Sequence, residues 1–117
     1  MLSSDLWHLA ARYVPNFIGV YPLDKLPYIR KYPTSFIINT HTHNLPGEHW
    51  IAVHIDKYGV IHAFDSFGHY YPWLLRQYLE QRSRGRKVKY NSIIFQESSE
   101  KTCGLYCVAW LIDISLK

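Results

Sequence analysis

From Cys103 to Ile114 the sequence CGLYCVAWLIDI is apolar on nearly every side of the helix it would form, broken only by Asp113. A helix without a polar stripe is expected inside a domain rather than on its surface, so other elements must wrap around it. The run is also far short of the ~20 apolar residues that span a bilayer. Burial in protein is therefore its expected fate. The 117 residues suffice for one domain, 1–117, built around that segment. With 48% apolar and only 19% charged residues, the chain is not a disordered one. No basic start followed by an apolar stretch opens the sequence between Met1 and Ala11, so no secretory leader is read there. A soluble protein of the cell interior or of a virion is expected.

The other elements are read from periodicity. Ser4 and Asp5 precede Leu6, Trp7, Ala10 and Ala11, the pattern of a helix start with an acidic first turn. Turns and extended pieces follow, rich in proline. Ser35 to Thr40 is β-branched and aromatic, hence a strand. From His49 onward Ile51, Val53 and Ile55 alternate with Ala52, His54 and Asp56. A turn at Lys57–Gly59 returns the chain as Val60 to Phe64, completing a hairpin that ends at Asp65. Pro72 suits a first helical position, with Leu74, Leu75, Tyr78 and Leu79 forming one helix face to about Arg82. Val88 to Phe95 reads as a third strand. The expected fold is α+β, with a small mixed or antiparallel sheet packed around the buried central helix.

The chemistry converges on Cys103. At the start of a helix, unpaired backbone N–H groups and the positive end of the dipole favour a thiolate. Gly104 leaves room for a substrate carbonyl beside those N–H groups. Two cysteines, Cys103 and Cys107, are too few for a disulfide framework and fit a reducing compartment. Cys107, one turn along, reads as a packed thiol. A nucleophilic cysteine needs a base and a group that orients the base. His49 opens one hairpin strand and Asp65 closes the other, so antiparallel pairing sets them side by side. Gln96, seven residues before Cys103, can donate to an oxyanion together with the Cys103 N–H. His54 and His62 lie within the strands, where structural or surface roles are expected. His41 and His43 in THTH lack a nearby third ligand and read as a solvated loop, so no metal site is expected.

These blocks, GEHW at Gly47–Trp50, FDSFG at Phe64–Gly68, Gln96 and CGLYC at Cys103–Cys107, occur in the order His, acid, Gln, Cys. In that order the chain resembles the adenovirus-type cysteine proteases (adenain) and their wider clan, which includes proteases of ubiquitin-like modifiers. Papain has the reverse order. NFIGVYP at Asn16–Pro22 and FIINT at Phe36–Thr40 are similar to adenain segments at comparable distances before the histidine. Related enzymes are encoded by adenoviruses, virophages and virus-like DNA transposons. The resemblance implies that His49 is the general base and later acid, Asp65 its orienting carboxylate and Cys103 the nucleophile. Gln96 and the Cys103 amide would form the oxyanion hole. Trp50 reads either as a wall of the substrate channel, with Gly104, or as a core residue. Cleavage near Gly-Gly or Gly-X in capsid or core precursor proteins during virion maturation is implied, by a monomer in the virion or in the nucleus or cytoplasmic viral factory of the host.

The chain departs from the adenain pattern in three ways. Asp65 stands where adenain has glutamate, and in this it resembles the modifier proteases. There is no cysteine beyond Cys103 and Cys107 to join a peptide cofactor. The sequence runs only fourteen residues past Cys103, so a minimal or C-terminally truncated adenain-like domain is expected.

Between Arg76 and Lys89, six cations (Arg76, Arg82, Arg84, Arg86, Lys87, Lys89) oppose Glu80 alone, a net +5 against +4 for the whole chain. Such a run is either a solvated helix end or a patch for phosphates. Adenain-like enzymes use DNA as an activator, so the resemblance implies nonspecific, salt-dependent DNA binding there. Three functions are thus in view: a maturation endopeptidase, a protease of ubiquitin-like modifiers with the same site, and an inactive basic nucleic-acid-binding module.

Overall fold

The computed structural model describes residues 3–40, 49–65, 71–91 and 100–117, and for Ser3 and residues 100–103 only the helix that contains them. Among these, three helices and five strands alternate along the chain. Helix α1 (Ser3–Tyr13) is followed by β1 (Phe17–Pro22), β2 (Thr34–Asn39), β3 (Trp50–Ile55) and β4 (Ile61–Asp65). Helix α2 (Trp73–Arg82), the two-residue β5 (Lys89–Tyr90) and α3 (Glu100–Ser115) complete the order. The strands form one sheet in the order β1-β2-β3-β4-β5. The outer pairs β1–β2 and β4–β5 are parallel and the inner two antiparallel, so the α+β class is met with a mixed sheet.

Period-two alternation divides the core into two layers. Ile37, Trp50, Ala52 and Phe64 point to one face and meet Leu6, Ala10 and Val14 of α1 and Cys107, Val108 and Leu111 of α3. Phe36, Ile38, Ile51, Val53 and Ile55 point to the other and meet Leu75, Tyr78 and Leu79 of α2. The crossover between β1 and β2 has no helix, and its Leu23, Leu26 and Ile29 pack beside α2. Strand β3, covered on both faces, is buried at every position.

The sheet does not wrap around the last helix as expected. Helix α3 lies on one face of the sheet beside α1, with Leu105, Tyr106 and Ala109 exposed. All-round apolarity signals burial only when elements exist on both sides, and the sheet supplies just one. The helix also begins at Glu100, so Cys103 is its fourth residue and remains in the first turn. Pro72 caps α2 with an extended ψ of 147° rather than starting it, its carbonyl accepting the Arg76 N–H at 3.0 Å. Of the third expected strand only Lys89–Tyr90 pair, while its remainder from residue 92 lies outside the described residues.

Strand β1, which periodicity left among the extended pieces, carries a register shift at Gly19. Its φ of +146° is open to glycine, and a Cβ there would meet the Trp7 indole at 2.7 Å. The β3–β4 turn is held by Asp56, whose Oδ1 accepts the N–H groups of Tyr58 (2.9 Å) and Val60 (3.0 Å). Its backbone closes through Gly59 at φ +84°.

Candidate active site

His49 directly precedes β3 and Asp65 is the last residue of β4. Asp65 is in register with Ile51, two residues after His49, so the imidazole reaches it along the diagonal of the hairpin. His49 Nε2 lies 2.8 Å from Asp65 Oδ1, and the Asp65 side chain is fully buried. The contact is an ion pair only when the ring is doubly protonated. A carboxylate can face Nε2 favourably only if that nitrogen bears a proton, which makes Nδ1 the basic atom of the neutral ring.

Both partners are pinned through their backbones. The His49 carbonyl accepts the Thr40 N–H at 2.9 Å and the Thr40 hydroxyl at 3.1 Å, which extends the β2–β3 ladder one step past Asn39 and Trp50. On the acid's side the β4–β5 ladder stops at Ala63 and Tyr90, and a side chain continues it. Asn91 Oδ1 accepts the Asp65 N–H at 2.8 Å, while Asn91 Nδ2 donates to the Asp65 carbonyl at 2.9 Å. The carboxamide thus stands in for a peptide group. Tyr71 ties the cluster together: its oxygen accepts the Asp65 N–H at 3.1 Å, and its hydroxyl donates to Asn91 Oδ1 and to the Ala63 carbonyl. Burial, with the Asp65 carboxylate adding to it, holds the Tyr71 phenol far above the usual tyrosine range against the bonds from the Asp65 and Asn91 backbone. Tyr71 therefore stays protonated and able to donate.

Helix α3 is anchored to the same end of the sheet. The Cys107 thiol donates to the Trp50 carbonyl at 3.4 Å, one residue from His49. Phe64, one residue from Asp65, stacks on Trp110 at 5.3 Å. Residue 103 is four positions before Cys107 in this helix, about 6 Å along its axis and near the same side. Cys107 is wholly buried, the packed thiol expected of it. The Cys103 side chain, Gln96, His41 and His43 lie outside the described residues.

The remaining sequence-derived positions are scattered. Trp50 is 1% exposed within the layer under α1 and α3, which is the core placement and not a channel wall. Gly104 is buried within α3. Arg76 lies over the Tyr71 and Tyr90 rings at 5.8 and 4.9 Å and donates to the Tyr71 carbonyl at 3.2 Å. Arg82 lies over the Tyr78 ring at 3.7 Å. Arg86 donates to the Tyr58 carbonyl, Arg84 and Lys87 are exposed, and Lys89 stands in β5. The basic run is therefore spread over both ends of α2, the turn beyond it and a strand.

Sequence reasoning did not find Thr40, Tyr71 or Asn91. Each acts on a backbone group at a strand end, a role that leaves no spacing motif.

No family model and no curated protein matches the sequence. Among solved structures, the chain is similar to the crystal structure of the ASFV pS273R protease, with a TM-score of 0.49 and 27% identity. The match covers 69% of this chain and 36% of that one, so this chain spans about a third of the length of the protein it matches.

Proposed function

We propose that this chain is a cysteine endopeptidase of viral or virus-derived origin that cleaves precursor proteins near Gly-Gly or Gly-X. The observation that carries the reading is the His49–Asp65 pair, a fully buried carboxylate 2.8 Å from an imidazole nitrogen at one end of a hairpin. The docking of α3 through Cys107 on Trp50 supports it, as does the order of the adenain-like blocks.

In this mechanism His49 Nδ1 takes the Cys103 thiol proton, and Asp65 stabilises the resulting imidazolium through Nε2. The thiolate adds to the scissile carbonyl, and the oxyanion is met by the Cys103 N–H and the Gln96 amide. Collapse breaks the C–N bond, with Nδ1 returning its proton to the leaving amine, and a thioester remains. Water then gives a proton to His49 and attacks the thioester, so the acid product leaves and the thiol is restored. No metal takes part. DNA held by the basic residues from Arg76 to Lys89 would serve as activator.

Hydrolysis of a fluorogenic Gly-Gly peptide tests the proposal, with Cys103→Ala and His49→Ala as controls of unchanged circular dichroism. Both variants should be inactive. Activity retained in either, or no cleavage by the native chain with and without DNA, overturns it.

Asp65 in place of glutamate favours a second reading, a protease of ubiquitin-like modifiers with the same site. Faster cleavage of a Gly-Gly modifier fusion than of a viral precursor peptide would select it.

A further inference from the structure

At the end of the sheet opposite His49 and Asp65, Ser35, His54, His62 and Lys89 stand in one register row across β2, β3, β4 and β5. Residues in register share a face. Two positions along each of the first three strands that same face is apolar, with Ile37, Ala52 and Phe64 under α1 and α3. The row becomes polar where the helical cover ends, since α1 stops at Tyr13 and α3 at Ser115. Between the row and those helix ends lies a cavity of about 540 Å³. That is within the roughly 300–1,000 Å³ typical of small-molecule sites.

The two histidines that line this cavity are each held by a neighbour, His54 by Ser35 beneath the lining and His62 by Asp56. Ser35 is wholly buried and its Oγ lies 2.8 Å from His54 Nδ1, while His54 is only 6% exposed. His62 Nε2 lies 3.3 Å from Asp56 Oδ2. Asp56 Oδ1 is taken by the turn, so both oxygens of the side-chain carboxylate that lines the cavity among the described residues are engaged by the protein itself. Three cations, Lys57, Lys89 and Lys117, line the cavity, Lys57 lying over the Tyr58 ring at 5.2 Å and Lys117 3.6 Å from the exposed Asp113. Pro15, Pro33, Tyr58 and Ile114 add apolar wall.

We propose that this cavity binds a small organic anion, a phosphate or carboxylate carried on an apolar body, at a site separate from the His49–Asp65 pair. The lysines supply the charge complement, the imidazoles supply donors, and the apolar wall accounts for the volume that a bare inorganic anion would leave unfilled. Burial, and then the neighbouring His62, hold His54 below the usual histidine range, with Asp56 acting in the opposite sense. An anion facing the two rings reverses that balance. Binding therefore takes up a proton and tightens as pH falls through the histidine range.

The test is an NMR titration of the full chain with phenyl phosphate, benzoate, inorganic phosphate and benzyl alcohol. Saturable shifts are expected around Ser35, His54, His62 and Lys89, with phenyl phosphate or benzoate binding about tenfold tighter than inorganic phosphate. Whichever of the two binds more tightly identifies the anionic group. Benzoate, ionised throughout, should bind about tenfold tighter at pH 6 than at pH 8. Lys89→Gln, a change at an exposed side chain, and His62→Gln should each weaken binding about fivefold or more. No saturation by about 20 mM, equal binding of benzyl alcohol, shifts centred instead on Arg82–Lys87, or unchanged affinity in both variants overturns the proposal. None of these readouts depends on peptide cleavage.

Discussion

The carboxamide of Asn91 pairs with both the N–H and the carbonyl of Asp65, at 2.8 and 2.9 Å, and so occupies the place of the next residue of a longer β5. The acid that faces His49 is thereby held from the side of the sheet that has the shortest strand. Asn91→Ala removes both bonds, while the Asp65 N–H keeps the Tyr71 oxygen at 3.1 Å. A loss of about 1–3 kcal/mol is expected in urea unfolding, from about 0.5–1.5 kcal/mol for each of the two bonds. Asn91→Asp keeps the acceptor but turns a carboxylate oxygen toward the Asp65 carbonyl, and should cost at least as much.

Asp65→Asn preserves size and removes the charge opposite His49 Nε2. If the pair acts as proposed, kcat/KM on the fluorogenic Gly-Gly peptide falls by about 100-fold or more. A change below about threefold at unaltered folding would assign Asp65 to structure alone.

Gly19→Ala tests the register shift in β1. The new Cβ enters the Trp7 indole at a φ that only glycine adopts freely, and overpacking of this kind costs about 1–3 kcal/mol. Thermal unfolding should show the loss, and Trp7→Leu should recover part of it by clearing the contact.

Stability should fall on the acid side of neutrality. His54 titrates below its unfolded value because of burial and then His62, so the unfolded chain binds more protons between those two values. The contribution is complete above the unfolded histidine pKa, near 6.5, and is lost as pH drops through the lower folded value. Burial would raise Asp56, but the bonds from the Val60 N–H, His62 and the Tyr58 N–H outweigh it and lower the carboxyl. Its share persists above about pH 4 and disappears only in stronger acid. Melting temperatures from pH 8 to 5 should therefore decline, and His54→Gln should flatten that slope while leaving the later acid limb.

The hairpin was the most legible part of the sequence, because alternation from Ile51 to Ile55 and the return at Val60 specify both register and the neighbouring of His49 and Asp65. Helix α1 was equally plain from Ser4, Asp5 and the apolar positions that follow. Strand β1 was hidden by Gly19 and the flanking prolines, whose local preferences oppose a strand until β2 pairs with it. Residues 105–112 misled in the other direction. Their composition allows burial on all sides, but a single sheet face and α1 are what they meet. The supports of the site were invisible for a different reason: Thr40, Tyr71 and Asn91 reach backbone atoms across 9, 6 and 26 residues, and only the closed sheet brings them there.

Among the described residues the strands lie in the sheet in the order in which they are synthesised, so each of these adds to the edge left by its predecessor. The helix that bears Cys103 comes after all of them. A nascent chain can thus assemble the His49–Asp65 hairpin before α3 is made, and on the proposed function the reacting groups come together only when α3 settles onto β3. Recovery of thiol reactivity on refolding should accordingly trail formation of the sheet.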